Sequence, residues 1–181
     1  MLTVQHLRRQ AAGPAPPLLA GDDPTGAYDD TVALITAAGF RFALAPPGST
    51  YLGDANGVTL GGSLMLTQVR DDLSLAHRVK TTLHELAHIR CGHLSEPVAD
   101  GDLHRGRRET EAESVSHIIC QALGLDTAAF TDAYVLGWAG GDLNLVEQCA
   151  QRVLRVSREI LADLTPDITG GPAAEPGATG T

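Results

Sequence analysis

Positive charge, paired cysteines and long apolar runs are what this sequence lacks. Thirteen Lys and Arg stand against 22 Asp and Glu, a net charge of −9 over 181 residues. A freestanding nucleic-acid binder needs a basic surface to displace phosphate counterions, so that class is disfavoured. Cys91, Cys120 and Cys149 are odd in number and show no C-x-x-C spacing. That argues against a disulfide framework and a cysteine zinc finger, and fits a reducing compartment with three small buried thiols. No apolar run approaches the ~20 residues of a membrane span. The first residues, Met1 to Arg9, lack the apolar core of a signal peptide. A cytoplasmic protein with no membrane partner is the expectation. No internal repeat is visible.

What is present is ordinary globular material: 43% hydrophobic and 19% charged residues, in a length that suits one domain with a substantial core. Residues 1–24 carry Pro14, Pro16, Pro17 and Pro24 with Gly13 and Gly21, and read as a flexible linker or docking arm. Residues 25–164 form the expected domain, and the Gly, Pro, Ala and Thr composition of 165–181 reads as a disordered tail. Within the domain, a helix is expected over 29–38, closed by Gly39, then a strand over 40–44 stopped by Pro46-Pro47-Gly48. Turn signals at Asn56-Gly57 and Gly61-Gly62 bracket strands at 58–60 and 63–67, a small antiparallel sheet. Helices follow, giving an α+β fold with the sheet packed on a helical bundle. An edge strand just ahead of the central helix can pair with an extended peptide.

That central helix carries His84-Glu85-Leu86-Ala87-His88. Asp71 or Asp72, with Ser74 as the weaker candidate, caps it, and Gly92 ends it. At 3.6 residues per turn both histidines lie on one face and can reach one metal ion, with Glu85 alongside to take a proton from water. Leu75, Ala76, Val79, Leu83, Leu86 and Ala87 recur at helical steps, so the three polar groups sit in an apolar setting. Unpaired, each costs roughly 1–3 kcal/mol to bury, a cost that a metal ion relieves.

A catalytic zinc site takes three protein ligands and keeps a fourth position open. His93 is nearest in sequence. In the metzincin pattern a glycine and a final histidine follow the second histidine by three and six residues; here Cys91 holds the glycine position and His93 comes one residue early. A polar loop is expected over 93–108, carrying Arg105, Arg107 and Arg108. A helix over 109–123, closed by Gly124, then supplies Glu109, Glu111 and Glu113. Glu109 and Glu113, four apart, share a face, so one can bind the metal while the other accepts a hydrogen bond from a ligating histidine. Glu111 lines up instead with Val115 and Ile118. Acids complementing the helix dipole are the bland reading of all three. Further helices are expected over 126–139 and 142–163, the last with Leu145, Val146, Cys149, Val153, Val156, Ile160 and Leu161 as its core stripe.

The pairing of His84-Glu85-Leu86-Ala87-His88 with Glu109-x-x-Ala112-Glu113 resembles the ImmA/IrrE-type zinc metallo-endopeptidases, a gluzincin-like group. The closer resemblance is to the metallopeptidase half of ArdC-type antirestriction proteins, through Glu111-Ala112-Glu113-Ser114-Val115, Gln121 to Asp126, and Trp138-Ala139. It covers residues 18–163. It implies a zincin fold, Zn2+ as cofactor, a glutamate third ligand, and hydrolysis of a protein or peptide substrate by metal-activated water with Glu85 as general base. In gluzincins the ligand precedes a second acid by four residues, which favours Glu109, with Glu113 behind it and Glu113 or Glu111 as alternatives. His117 and Tyr134 have the chemistry to stabilise an oxyanion. ArdC-type proteins also have a single-stranded-DNA-binding domain, for which these residues leave no length, so direct nucleic-acid binding is not expected of this chain alone. The alternative is a metal-stabilised module that associates with DNA-binding or mobile-element proteins and turns over little.

Overall fold

A computed structural model describes residues 18–95, 102–125 and 143–165. Four helices and one three-stranded sheet are found among them: α1 (Ala27–Ala37), β1 (Arg41–Ala45), β2 (Gly57–Leu60), β3 (Leu66–Arg70), α2 (Leu75–Arg90), α3 (Asp102–Ala122) and α4 (Leu143–Leu164). The α+β class holds. The helix expected over 126–139, including Tyr134, and residues 1–17 and 166–181 lie outside the described residues. No helix among the described residues is long and apolar enough to cross a membrane.

The sheet departs from the antiparallel expectation. Its order is β1-β3-β2, with β2 antiparallel to β3 but β1 parallel to it, Arg41 facing Leu66 and Ala45 facing Arg70. Gly61-Gly62 does turn β2 back onto β3, Leu60 facing Leu66. The segment between β1 and β2, which contains Pro46-Pro47-Gly48, is too long for a hairpin and carries β2 to the far side of β3, leaving β2 at an edge. Turn residues report local reversals and not which strands become neighbours. The last strand also runs later than expected, to Arg70, whose N–H donates to the Asn56 carbonyl at 2.9 Å.

Ser74 caps α2, its hydroxyl accepting from the His77 N–H at 3.2 Å. Asp72 is engaged instead by Arg70, with contacts of 2.7 and 2.8 Å. Ser74 and His77 also hold the end of the N-terminal arm. The Leu19 N–H donates to His77 Nδ1 at 2.8 Å, and the Ala76 N–H donates to the Gly21 carbonyl at 3.2 Å. The segment around residues 19–21 is therefore docked on the helix start.

Val79, Leu83, Leu86 and Ala87 of α2 are buried together with Ala112, Val115, Ile119 and Cys120 of α3 and Val153, Val156 and Ile160 of α4. This is the core, and it fixes α2 and α3 side by side with β2 against α2. Of the expected α4 stripe, Cys149, Val153, Val156 and Ile160 are buried and Leu161 packs against the core, while the side chains of Leu145 and Val146 lie outside those described.

The start of α3 is a correction. Residues 102–108, expected to be loop, are its first two turns. Asp102 precedes Glu109 by seven residues, and the dipole effect fades within a helix's first turn. Glu109, Glu111 and Glu113 therefore need another explanation than complementing the helix end.

Candidate metal centre

Helix α2 is buried over most of residues 76–87, and leaves His84 and His88, one turn apart, half-buried at the edge of the core. Their Nε2 atoms approach to 3.1 Å. From α3, Glu109 Oε2 lies 3.4 Å from His84 Nε2 and 3.8 Å from His88 Nε2. These three side chains form the group among the described residues whose ligand atoms all fall within 4.8 Å of one another. Glu109 is the more open of the three, its side chain 37% exposed against 18% for His84 and 14% for His88. The cluster is thus backed by protein and open on the Glu109 side.

Glu113, four residues on, shares the face of Glu109, whereas Glu111, two residues from each, points elsewhere. Glu113 stands behind His84: Nδ1 donates to Oε2 at 3.1 Å. Lys80, the one lysine in the chain, is buried on the far side of Glu113, its Nζ 2.7 Å from Oε1 and 2.9 Å from Oε2. Its own carbonyl accepts from Ser116 Oγ at 3.0 Å, a second tie between α2 and α3. Burial works to raise the Glu113 carboxyl, but the His84 hydrogen bond and the Lys80 charge overcome it and hold Glu113 down at about 2.

Glu111 faces His93 instead, 2.8 Å from its Nε2, with Arg152 of α4 at 3.3 Å. His93 in turn sets Nδ1 2.9 Å from His88 Nδ1. His93 reaches that position because α2 ends in a Schellman turn. Gly92 adopts φ 79°, the Gly92 N–H donates to the Ile89 carbonyl at 3.1 Å, and the His93 N–H donates to the His88 carbonyl at 3.1 Å. The chain folds back one turn, and the two imidazoles meet.

These surroundings separate the two cluster histidines. Burial pushes both imidazoles down. At His84 the hydrogen bonds and charges of Glu109 and Glu113 reverse this and raise it to about 10. At His88 burial and the His84 charge prevail, and it falls to about 3.

Glu85 points toward the sheet. Thr59 Oγ1 on β2 donates to its Oε2 at 2.8 Å, and Thr59 also contacts Thr67 Oγ1 of β3 at 3.2 Å. Gly57 makes the close approach of β2 possible: a Cβ there would stand 2.6 Å from Glu85 Oε1 and 2.7 Å from Thr81 Cγ2. Burial raises the Glu85 carboxyl to about 7 against the opposing His84 charge and Thr59 hydrogen bond, where a general base is most useful.

The structure thus brings His84, His88 and Glu109 together, puts Glu85 beside them, and sets Glu113 behind His84. His93 and Glu111, weighed in the sequence as ligands, instead support His88 from behind. His117 is half-buried on α3 and outside the cluster. Sequence reasoning did not reach Lys80, Thr59, Gly57 or Arg152 as parts of the site. The position of Gly92 was the available signal for His93, since a C-terminal glycine in a Schellman turn returns the next residue to the last turn of its helix. Searches of family models, of curated proteins and of solved structures find no match to this chain.

Proposed function

We propose that this chain is a zinc-dependent endopeptidase of the ImmA/IrrE-like, gluzincin type, with His84, His88 and Glu109 holding the metal and Glu85 as general base. The observation that carries the reading is the convergence of three metal-ligating atoms within 4.8 Å, with a carboxyl raised to about 7 on the adjacent helix position.

The donor set fits a zinc ion. A His84 that gives its Nδ1 hydrogen to Glu113 keeps, in its neutral form, a lone pair on Nε2. That lone pair faces the Glu109 carboxylate at 3.4 Å. The second proton that raises His84 to about 10 can lie between these two atoms, and a metal ion bound there would take that proton's place. Two imidazoles and a carboxylate are a ligand set that zinc enzymes use while leaving a position open.

A zinc ion bound there supplies Lewis acidity, lowering the pKa of a water toward ~7 and polarising the scissile carbonyl. The chain's own residues do the remainder. Glu85, aimed by Thr59, accepts the proton of the attacking water and delivers it to the leaving amine. Glu113 and Lys80 hold His84 in the tautomer that presents Nε2. Strand β2 lies at the sheet edge and carries both Gly57 and Thr59 against Glu85, so a substrate peptide that adds to this edge is laid alongside the base.

The test is Glu85→Gln assayed on a quenched-fluorescence peptide library beside the wild type. Hydrolysis is expected to fall by roughly 10²–10⁴-fold while zinc content stays the same. Full activity in the variant would mean that hydrolysis by this site is not the function.

A further inference from the structure

His88 lacks what His84 has, a carboxylate directly on its Nδ1. It meets His93 instead, Nδ1 to Nδ1 at 2.9 Å, and His93 Nε2 meets Glu111 Oε2 at 2.8 Å. His93 and Glu111 are both 1% exposed, so water does not mediate or mask these contacts. The direction of each bond follows from what each atom can do. A carboxylate at the end of the line only accepts, so His93 Nε2 carries a hydrogen. Arg152, 3.3 Å from the same Glu111 oxygen, supplies a positive charge to that carboxylate from α4. With its hydrogen placed on Nε2, the His93 ring offers the lone pair of Nδ1. The short contact to His88 Nδ1 requires the hydrogen to sit on His88, which leaves the His88 lone pair on Nε2, facing His84 and Glu109.

We propose that His93 is a positioning residue for His88: through Glu111 and Arg152 it fixes the His88 tautomer and ring so that Nε2 is presented to the metal. This rests on the zinc reading for its purpose, though not for its geometry. The arrangement sets the Arg152-bearing helix α4 in line with the metal centre, and makes the Schellman turn at Gly92 part of the site. Were the line reversed, His88 would carry its hydrogen on Nε2 and have no lone pair for a metal. The hydrogen bonds therefore select between a ligating and a non-ligating imidazole.

Two measurements test it on the full chain. The first is a long-range 1H–15N correlation spectrum of the metal-free protein, which reads each imidazole's tautomer directly. The expected result is His88 protonated on Nδ1 and not on Nε2; the opposite assignment overturns the proposal. The second is zinc affinity by competition with a chromogenic chelator. His93→Leu removes the acceptor and is expected to weaken zinc by roughly 10–100-fold. His93→Asn places Oδ1 where Nδ1 stood and is expected to recover most of that loss, which a merely space-filling role would not do. Should His93→Leu fail to fold, the wild-type spectrum and His93→Asn still decide: an Asn variant as weak as a ligand deletion overturns the proposal. The two readings fail separately. A wild type that binds no zinc but has His88 protonated on Nδ1 supports the His93 role and defeats the metal site. A wild type that binds zinc, with His93→Leu changing neither affinity nor tautomer, does the reverse.

Discussion

His84 and His88 are the same residue type on the same helix, one turn apart, yet the chain treats them oppositely. His84 is flanked by two carboxylates and held up at about 10, while His88, half-buried beside another imidazole, is held down at about 3. The arm behind His84 is short, a single carboxylate backed by a buried lysine, all within α2 and α3. The arm behind His88 is long and runs through His93 and Glu111 to Arg152 on α4. The motif specifies which atoms converge; the flanking charges decide which of them carry protons. His77, on the same helix, makes the point a third time. It accepts the Leu19 N–H, and burial, aided by the Lys80 charge, lowers it to about 4.

Removing the counter-charge of the short arm is expected to have the largest effect. Lys80→Met leaves Glu113 charged and buried without its ammonium, and a broken buried pair costs about 3–5 kcal/mol. Chemical denaturation of the metal-free chain reads this loss. A cost below about 1 kcal/mol, the range of an exposed pair, would show that the short arm is no tighter than a surface contact.

Next comes the pH dependence carried by His77. Its folded pKa, about 4, lies below the ordinary 6.5, so the unfolded chain binds this proton more readily. The stabilisation is fully present above 6.5 and is lost as pH falls toward 4. Its limit is roughly 3 kcal/mol from a shift of that size. His77→Asn keeps an acceptor for Leu19 but has nothing to titrate, so its unfolding free energy should fall less steeply over that window. Parallel curves for the two proteins would remove His77 from the comparison.

A smaller effect is expected from Gly57→Ala. The added methyl meets Glu85 Oε1 at 2.6 Å and Thr81 Cγ2 at 2.7 Å, and overpacking of this kind costs about 1–3 kcal/mol. Thermal unfolding measures it, and the peptide assay should lose more than stability alone explains, because Glu85, the proposed base, is displaced. An unperturbed variant would mean that β2 does not hold Glu85.

How much of this was readable in the sequence follows the distance over which each feature is decided. The His84–His88 pair is a matter of helical period, and it is where the spacing put it. The choice among Glu109, Glu111 and Glu113 depends on how α3 is rotated against α2, which spacing narrows to faces but does not fix; the structure turns Glu109 to the histidines. The polarity of the run containing Arg105, Arg107 and Arg108 suggests a loop, yet a helix accepts a polar first two turns when its later turns are buried. Asp71 and Asp72 looked like better caps than Ser74, but Arg70 engages Asp72. The sheet's turns were legible and its parallel pair was not, since pairing is settled by what lies between strands in space. His93 is one residue past Gly92, whose left-handed conformation returns it to His88 in a Schellman turn.

The central claim is that His84, His88 and Glu109 hold a zinc ion, and elemental analysis after zinc loading and dialysis tests it most directly. One zinc per wild-type chain is predicted, retained in Glu85→Gln and absent from the double variant His84→Gln/His88→Gln. A folded wild type that retains no zinc, or a double variant that retains as much as the wild type, would contradict it.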